Sequence, residues 1–130
     1  MNEFITFAAM KKIYHLSTCT TCQRILDETG AAGKGFALQD IKTEKISPAE
    51  LDALKEKAGS YEALFSRRAL KYKEMGLKDQ QLGEADYRRL ILEEYTFLKR
   101  PVVVAGEKIF VGSEKKTVEE LYANMSSVKK

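Results

Sequence analysis

The order of apolar and polar positions along the chain predicts alternating strands and helices. Short apolar runs rich in β-branched and aromatic residues predict strands at 12–16, 35–41, 101–104 and 109–111, the last two forming a hairpin. Apolar residues at helical spacing predict helices after the first strand, from Ser47, over 84–95 and from Thr117, with two short helices inside 61–77. The predicted order is therefore β-α-β, a helical block, and β-β-α.

Capping residues predict where several of these helices begin and end. Ser47 followed by Glu50 has the spacing of a capping box, with Pro48 at the first helical position, and Thr117 followed by Glu120 repeats that spacing. The pair at 17–18, Ser-Thr, offers side chains that can cap the first helix. Glycines are predicted to end the first two helices: Gly30 and Gly33, then Gly59.

This order of elements predicts the fold class. A βαβ unit needs a parallel pair joined by a right-handed crossover, and the late hairpin adds antiparallel strands to the same sheet. We expect an α/β protein with a thioredoxin-like mixed four-stranded sheet and an inserted helical subdomain at about 47–95. The predicted organisation is an N-terminal extension at 1–10, one domain over 11–125 and a C-terminal tail at 126–130.

Composition narrows the class of protein. The chain has 130 residues, enough for one domain, and its 44% hydrophobic and 32% charged residues are typical of a folded globular protein. A formal charge of +3 without a long basic run gives little support to nucleic-acid binding. No apolar run approaches the roughly 20 residues that span a bilayer. The first ten residues lack the basic start of a signal peptide, and Met10 offers a second start, so we expect a cytoplasmic protein.

Two cysteines carry the strongest chemical signal in the sequence. Cys19 and Cys22 lie between the first predicted strand and the first predicted helix. Unpaired N–H groups and the helix dipole favour a thiolate at a helix N-terminus, so we expect Cys19 to be the nucleophile and Cys22 the resolving thiol. Two inert core thiols are the alternative. A zinc site needs about four ligands, and with two Cys and one His we expect no metal site.

His15 lies four residues before Cys19. A neighbouring imidazole tunes a thiolate when it is protonated and accepts a proton when it is neutral. The alternative, a partly buried strand histidine with no chemical role, is equally compatible with the sequence.

Three arginines and a proline are further candidates. Arg67, Arg68 and Arg100 carry guanidinium groups of the kind that grip oxyanions and carboxylates, although a single arginine is more often a solvated helix charge. Pro101 is a candidate cis proline, because X-Pro bonds are the common cis peptides; a trans proline at a strand start is the alternative.

Three stretches of the chain resemble the ArsC/Spx family, which comprises glutaredoxin-coupled arsenate reductases and Spx-type transcriptional regulators. The stretches run from Ile13 to Cys19, from Arg67 through Tyr72 to Gly76, and from Lys99 to Val104, and the resemblance covers about 11–125. It implies a thioredoxin-like fold with an inserted helical subdomain and a cis peptide bond at Pro101.

The resemblance also implies residue roles. Cys19 matches the family's nucleophile and His15 the histidine four residues before it. The Arg67–Arg68 pair, most plausibly Arg68, matches the first anion-binding arginine, and Arg100 matches the second. In the reductases the cysteine attacks arsenate and glutathione and glutaredoxin complete the reduction. Glutathione with glutaredoxin, or thioredoxin, is therefore the implied electron donor, and no bound cofactor is implied.

Two departures from the reductases leave a second function open. Cys22 creates a CxxC pair, which looks more like the Spx-type redox switch. The position of the reductases' third arginine falls near Val111, with Lys108 as the neighbouring cation. The sequence therefore predicts an arsenate reductase-like thiol-disulfide oxidoreductase, or alternatively an Spx-like regulator that binds the RNA polymerase α subunit, with no direct nucleic-acid or membrane contact.

Overall fold

The computed structural model describes residues 11–126, with the backbone alone for 32, 125 and 126. These residues form two compact units: the first runs up to Glu44 and resumes at Arg100, and the second is Lys45–Lys99. The predicted N-terminal extension at 1–10 and the predicted tail, apart from the backbone of residue 126, lie outside the described residues.

Strands and helices follow the predicted order. The strands are β1 (Lys11–His15), β2 (Ala37–Asp40), β3 (Val102–Ala105) and β4 (Lys108–Val111). The α-helices are α1 (Thr20–Thr29), α2 (Pro48–Ala58), α3 (Leu70–Glu74), α4 (Glu84–Glu93) and α5 (Lys115–Ser126). Short 3₁₀ helices occupy Ala31–Lys34, Glu62–Leu64, Leu77–Asp79 and Tyr95–Phe97.

The first unit is built on one four-stranded sheet with the order β2-β1-β3-β4. β1 pairs with β2 in parallel and with β3 in antiparallel, and β3 pairs with β4 in antiparallel. The predicted mixed four-stranded α/β sheet is therefore confirmed.

The core of the first unit lies between this sheet and the helices α1 and α5. Its buried residues come from β1, α1, the segment before β2, β3 and α5: Ile13, Ile25, Ala31, Phe36, Val103 and Leu121. α1 ends at Gly30, as predicted, because that glycine takes the left-handed conformation (φ 65°) and its N–H donates to the carbonyls of Leu26 and Asp27.

Two predicted helix starts in this unit are wrong. The N-cap of α1 is Cys19, not Ser17 or Thr18. α5 begins at Lys115, so Thr117 is inside the helix and caps nothing. The N–H of Val118 already donates to the carbonyl of Glu114 at 2.9 Å, so the helical hydrogen bonds of α5 begin before Thr117.

The second unit is helical. α2 begins with the predicted capping box: Ser47 Oγ accepts from the N–H of Glu50 at 3.1 Å, and Glu50 Oε1 accepts from the N–H of Ser47 at 2.9 Å. The two short helices predicted within 61–77 appear as two 3₁₀ turns and the short helix α3. The helix predicted over 84–95 is α4 followed by a 3₁₀ turn.

An aromatic cluster centred on Phe65 holds the second unit together. The Phe65 ring lies 4.8 Å from the Tyr87 ring, 5.0 Å from Phe97 and 6.1 Å from Tyr72, measured between centroids. Phe65 and Phe97 are fully buried and stacked, so the cluster contributes both apolar burial and aromatic contacts to the stability of this unit. Among the helices within 11–126, none combines the length and apolar character required to cross a bilayer.

Candidate active site

The strand register gathers the candidate residues of the first unit at one end of the sheet. His15, the last residue of β1, lies opposite Asp40, the last residue of β2. Tyr14 lies opposite Val102, the first residue of β3, so the two residues that precede β3 come to the same end. These are Arg100 and Pro101. The chain leaves β1 here, turns over 16–18 and enters α1.

Cys19 is the N-cap of α1. Its backbone is extended (φ −92°, ψ 107°), its N–H donates to the carbonyl of Leu16 at 2.9 Å, and its carbonyl accepts from the N–H of Gln23 at 3.1 Å. The first turn of α1 contains no acidic residue, and Cys19 makes no conventional side-chain cap bond. The N–H groups of this turn are therefore not taken by a carboxylate or hydroxyl, and they favour negative charge on the Cys19 sulfur.

The pKa of Cys19 lies below its ordinary value. Partial burial raises it, but the backbone N–H and the thiol of Cys22, together with the charge and hydrogen bonding of Arg100, lower it by more. Cys19 is partly exposed and both cysteines are free thiols. The thiolate, which is the reactive form of cysteine, is thus favoured at a partly exposed residue.

Cys22 has the opposite character. It is fully buried in the first turn of α1, and burial, followed by its hydrogen bond to Cys19 and the charge on Cys19, raises its pKa to about 12. The backbone of Leu16 and the charge of Arg100 oppose that shift. Within the pair, negative charge is therefore favoured on Cys19 and the proton on Cys22.

Arg100 and Pro101 border the pair from the start of β3. Arg100 is partly buried, and its charge acts on both sulfurs. The Arg100–Pro101 peptide bond is cis, the conformation that the family resemblance implies. Pro101 is buried, and its carbonyl accepts from the N–H of Gly112 at 2.9 Å.

His15 is held by a residue that sequence analysis missed. The Nδ1 atom of His15 lies 3.2 Å from Nε2 of Gln23, and the same Nε2 donates to the carbonyl of Leu16 at 3.0 Å. Gln23 lies one turn beyond Cys19 on α1, where a polar side chain at the start of a helix was the only available signal. Asp40 accepts from the backbone N–H groups of Ser17 and Lys42, and hydrogen bonding with Ser17 is the main cause that lowers its pKa.

Arg67 and Arg68 belong to the second unit, on the segment that follows the Glu62–Leu64 turn. Arg67 donates to Glu62 at 2.8 Å and to the hydroxyl of Tyr87 at 3.0 Å. Arg68 is exposed, and within residues 11–126 its side chain makes no hydrogen bond or ion pair. Over residues 11–126, no three His, Cys, Asp or Glu side chains come together as a metal site.

Comparison with known proteins gives a family and a fold. The ArsC family model matches residues 14–121. The protein YusI of Bacillus subtilis is 30% identical over 113 residues, which cover 85% of this chain and 96% of YusI. Similar solved structures include an arsenate reductase from Vibrio cholerae, with a TM-score of 0.71, 24% identity, and coverage of 85% of this chain and 96% of that one. A possible arsenate reductase from Streptococcus mutans UA159 has a TM-score of 0.69, 25% identity, and coverage of 86% and 97%.

Proposed function

This chain belongs to the ArsC family, and on that basis we propose that it is a thiol-dependent oxidoreductase that reduces arsenate with Cys19 as nucleophile and Cys22 as resolving thiol. The observation that carries the proposal is the cysteine pair at the start of α1, in which the pKa of the exposed sulfur is lowered and that of the buried sulfur is raised. Such a pair supplies a nucleophile and a protonated partner in the same turn of helix.

In the first step the Cys19 thiolate attacks the arsenic of arsenate. A sulfur–arsenic bond forms, an arsenic–oxygen bond breaks, and the oxygen leaves as water after taking up protons. Arg100, whose charge already acts on Cys19, stabilises the negative charge of the oxyanion. In the second unit Arg67 is engaged with Glu62 and Tyr87, so of the two arginines there Arg68 is the one we propose as an anion-binding residue.

In the second step the sulfur of Cys22 attacks the sulfur of Cys19. The sulfur–arsenic bond breaks and its electron pair stays on arsenic, which leaves as arsenite, while Cys22 loses its proton to the product or to solvent. The two cysteines lose two electrons and arsenic gains two. Formation of the bond to arsenic removes the charge on Cys19 that opposes ionisation of Cys22, while Leu16 and Arg100 continue to favour it. An external thiol donor, glutathione with glutaredoxin or thioredoxin, then reduces the disulfide.

The test is arsenate turnover by the full chain with each donor system in turn, followed as NADPH consumption through the matching reductase and as arsenite formed. Wild type should consume one NADPH per arsenite, and Cys19→Ser should fall to the rate without protein. Cys22→Ser should lose turnover with thioredoxin. Wild-type rates that equal those of Cys19→Ser with every donor would refute the proposal.

A second candidate is a redox-switched regulator that binds the RNA polymerase α subunit. The observation that favours it is the CxxC pair combined with Val111, an uncharged and partly buried residue, near the position of the reductases' third arginine. The test is capture of the purified C-terminal domain of the α subunit by the full chain, once reduced and once oxidised. Binding that depends on the redox state would support the regulator, and equal absence of binding in both states would remove it.

A further inference from the structure

We infer that Gln23 is a positioning residue that fixes neutral His15 as the tautomer with its proton on Nε2, so that the ring serves as a hydrogen-bond donor and not as a base. Nothing in the ArsC family match assigns a role to Gln23. The inference rests on two hydrogen bonds of this chain and does not depend on arsenate being the substrate.

The two contacts of Gln23 determine which of its amide atoms faces the histidine. The carbonyl oxygen of Leu16 only accepts hydrogen bonds, so the amide atom 3.0 Å from it must be the nitrogen. That nitrogen has a second hydrogen, and it lies 3.2 Å from Nδ1 of His15. An N–H that points at Nδ1 requires a lone pair there. In the neutral ring the proton must then be on Nε2.

Gln23 also stabilises the turn that carries Cys19. The carbonyl of Leu16 accepts from the N–H of Cys19 at 2.9 Å and from Gln23 at 3.0 Å, while the N–H of Gln23 donates to the carbonyl of Cys19 at 3.1 Å. Gln23 therefore makes two contacts where β1 ends, with the ring of His15 and with the carbonyl of Leu16, the residue that follows the strand. Its side chain sets the ring's orientation relative to the start of α1.

This arrangement decides between two roles for His15. A neutral imidazole has a single lone pair that can take a proton, and in this structure that lone pair accepts from Gln23. For the ring to accept a proton from another group, the contact with Gln23 must first break. The remaining polar atom of the ring, Nε2, carries a hydrogen and can only donate.

The chain contains one histidine, so nuclear magnetic resonance can read its tautomer without assignment ambiguity. The experiment is a long-range proton–nitrogen spectrum of the reduced, nitrogen-15-labelled full chain, at a pH at which the ring is neutral. Wild type should show an unprotonated Nδ1 and a protonated Nε2. In Gln23→Glu the new carboxylate only accepts, so the proton should move to Nδ1 and the order of the two nitrogen shifts should reverse.

Two further variants keep the outcome decisive. Gln81→Glu adds the same charge at an exposed glutamine of the second unit and should leave the wild-type pattern intact. Gln23→Leu removes the donor, and the ratio of the two tautomers should shift toward Nδ1–H by about fivefold, the effect of one net hydrogen bond. A protonated Nδ1 in wild type, or one tautomer ratio shared by wild type and both Gln23 variants, would overturn the inference. Neither result would bear on arsenate turnover, so the two proposals fail separately.

Discussion

The N-termini of α1 and α2 differ in what their unpaired backbone N–H groups interact with. Each helix begins with backbone N–H groups that have no partner inside the helix. α2 satisfies its own with a Ser47 hydroxyl and a Glu50 carboxylate, and it places Pro48 where no N–H is needed. α1 begins with Cys19, has no acidic residue in its first turn and makes no conventional side-chain cap bond.

The difference separates a helix start that adds stability from one that prepares a reaction. At α2 the backbone N–H groups stabilise the folded state through hydrogen bonds within the capping box. At α1 the backbone N–H groups of the first turn favour the charged form of the partly exposed Cys19, and they help to lower its pKa. A capping side chain in place of Cys19 would add a hydrogen bond to the start of α1 and remove its nucleophile.

The largest effect is expected from Cys19→Ser compared with Cys19→Ala. Both variants lose the nucleophile, so arsenate turnover should fall to background in each. The serine hydroxyl should accept from the first turn of α1, as Ser47 does in α2, and should make Cys19→Ser more stable than Cys19→Ala by about 1 kcal/mol. Urea unfolding under reducing conditions measures the difference. Equal stabilities would mean that the N–H groups of α1 are not available to a capping side chain.

Alkaline pH should destabilise the protein through Cys22. Its folded-state pKa of about 12 exceeds the ordinary thiol value of 9.0, so above about pH 9 the unfolded chain releases this proton and the folded chain keeps it. The folded state then binds more protons, and the free energy of unfolding falls as pH rises from about 9 to 12. Urea unfolding of the reduced protein at several pH values should show a shallower fall in Cys22→Ser, which lacks the titrating thiol. Identical slopes would contradict the assignment.

Removal of the charge next to the nucleophile should raise the pKa of Cys19. Arg100 lowers that pKa through its charge and a hydrogen bond, so in Arg100→Gln the rate of Cys19 alkylation should rise only at higher pH than in wild type. Iodoacetamide labelling across a pH series, with Cys22→Ser as the common background, gives the midpoint. Arg100→Lys keeps the charge and should fall between the two. An unchanged midpoint in Arg100→Gln would mean that the helix start alone ionises Cys19.

The smallest effect is expected from Ser47→Ala. Loss of the hydroxyl leaves the N–H of Glu50 without its acceptor, and the free energy of unfolding should fall by about 1 kcal/mol. The alkylation profile of Cys19 should not change, because the altered cap belongs to α2. A shifted profile would show that the two helix starts do not act independently.

The sequence was informative where local chemistry decides the structure. The spacing from Ser47 to Glu50 predicted the capping box of α2, and the strand-to-helix position of Cys19 predicted a thiol at the start of α1. The same kind of spacing misled at Thr117, because Thr-x-x-Glu also occurs inside a helix that has already begun. A capping-box pattern identifies a helix start only where the preceding residues are not helical.

Local patterns in the sequence do not contain the contacts between distant parts of the chain. Arg100 acts on Cys19 because β3 runs antiparallel to β1 in the register that pairs Tyr14 with Val102. The sequence around Arg100 and the sequence around Cys19 do not specify that register. Gln23 appeared as an ordinary polar residue of an amphipathic helix. Its role depends on the direction of one amide group toward Leu16 and His15, which only the folded turn determines.

Because Cys22 is completely buried, a thiol could attack a Cys19–Cys22 disulfide only at Cys19. Because Cys19 is partly exposed and Cys22 is not, an incoming thiolate would approach from the side of Cys19 and expel Cys22 as the leaving group. The mixed disulfide would then always pass through position 19. A reductant would therefore have to fit the surface around Cys19. The shape and charge of the protein surface at the N-terminus of α1 would then select the electron donor.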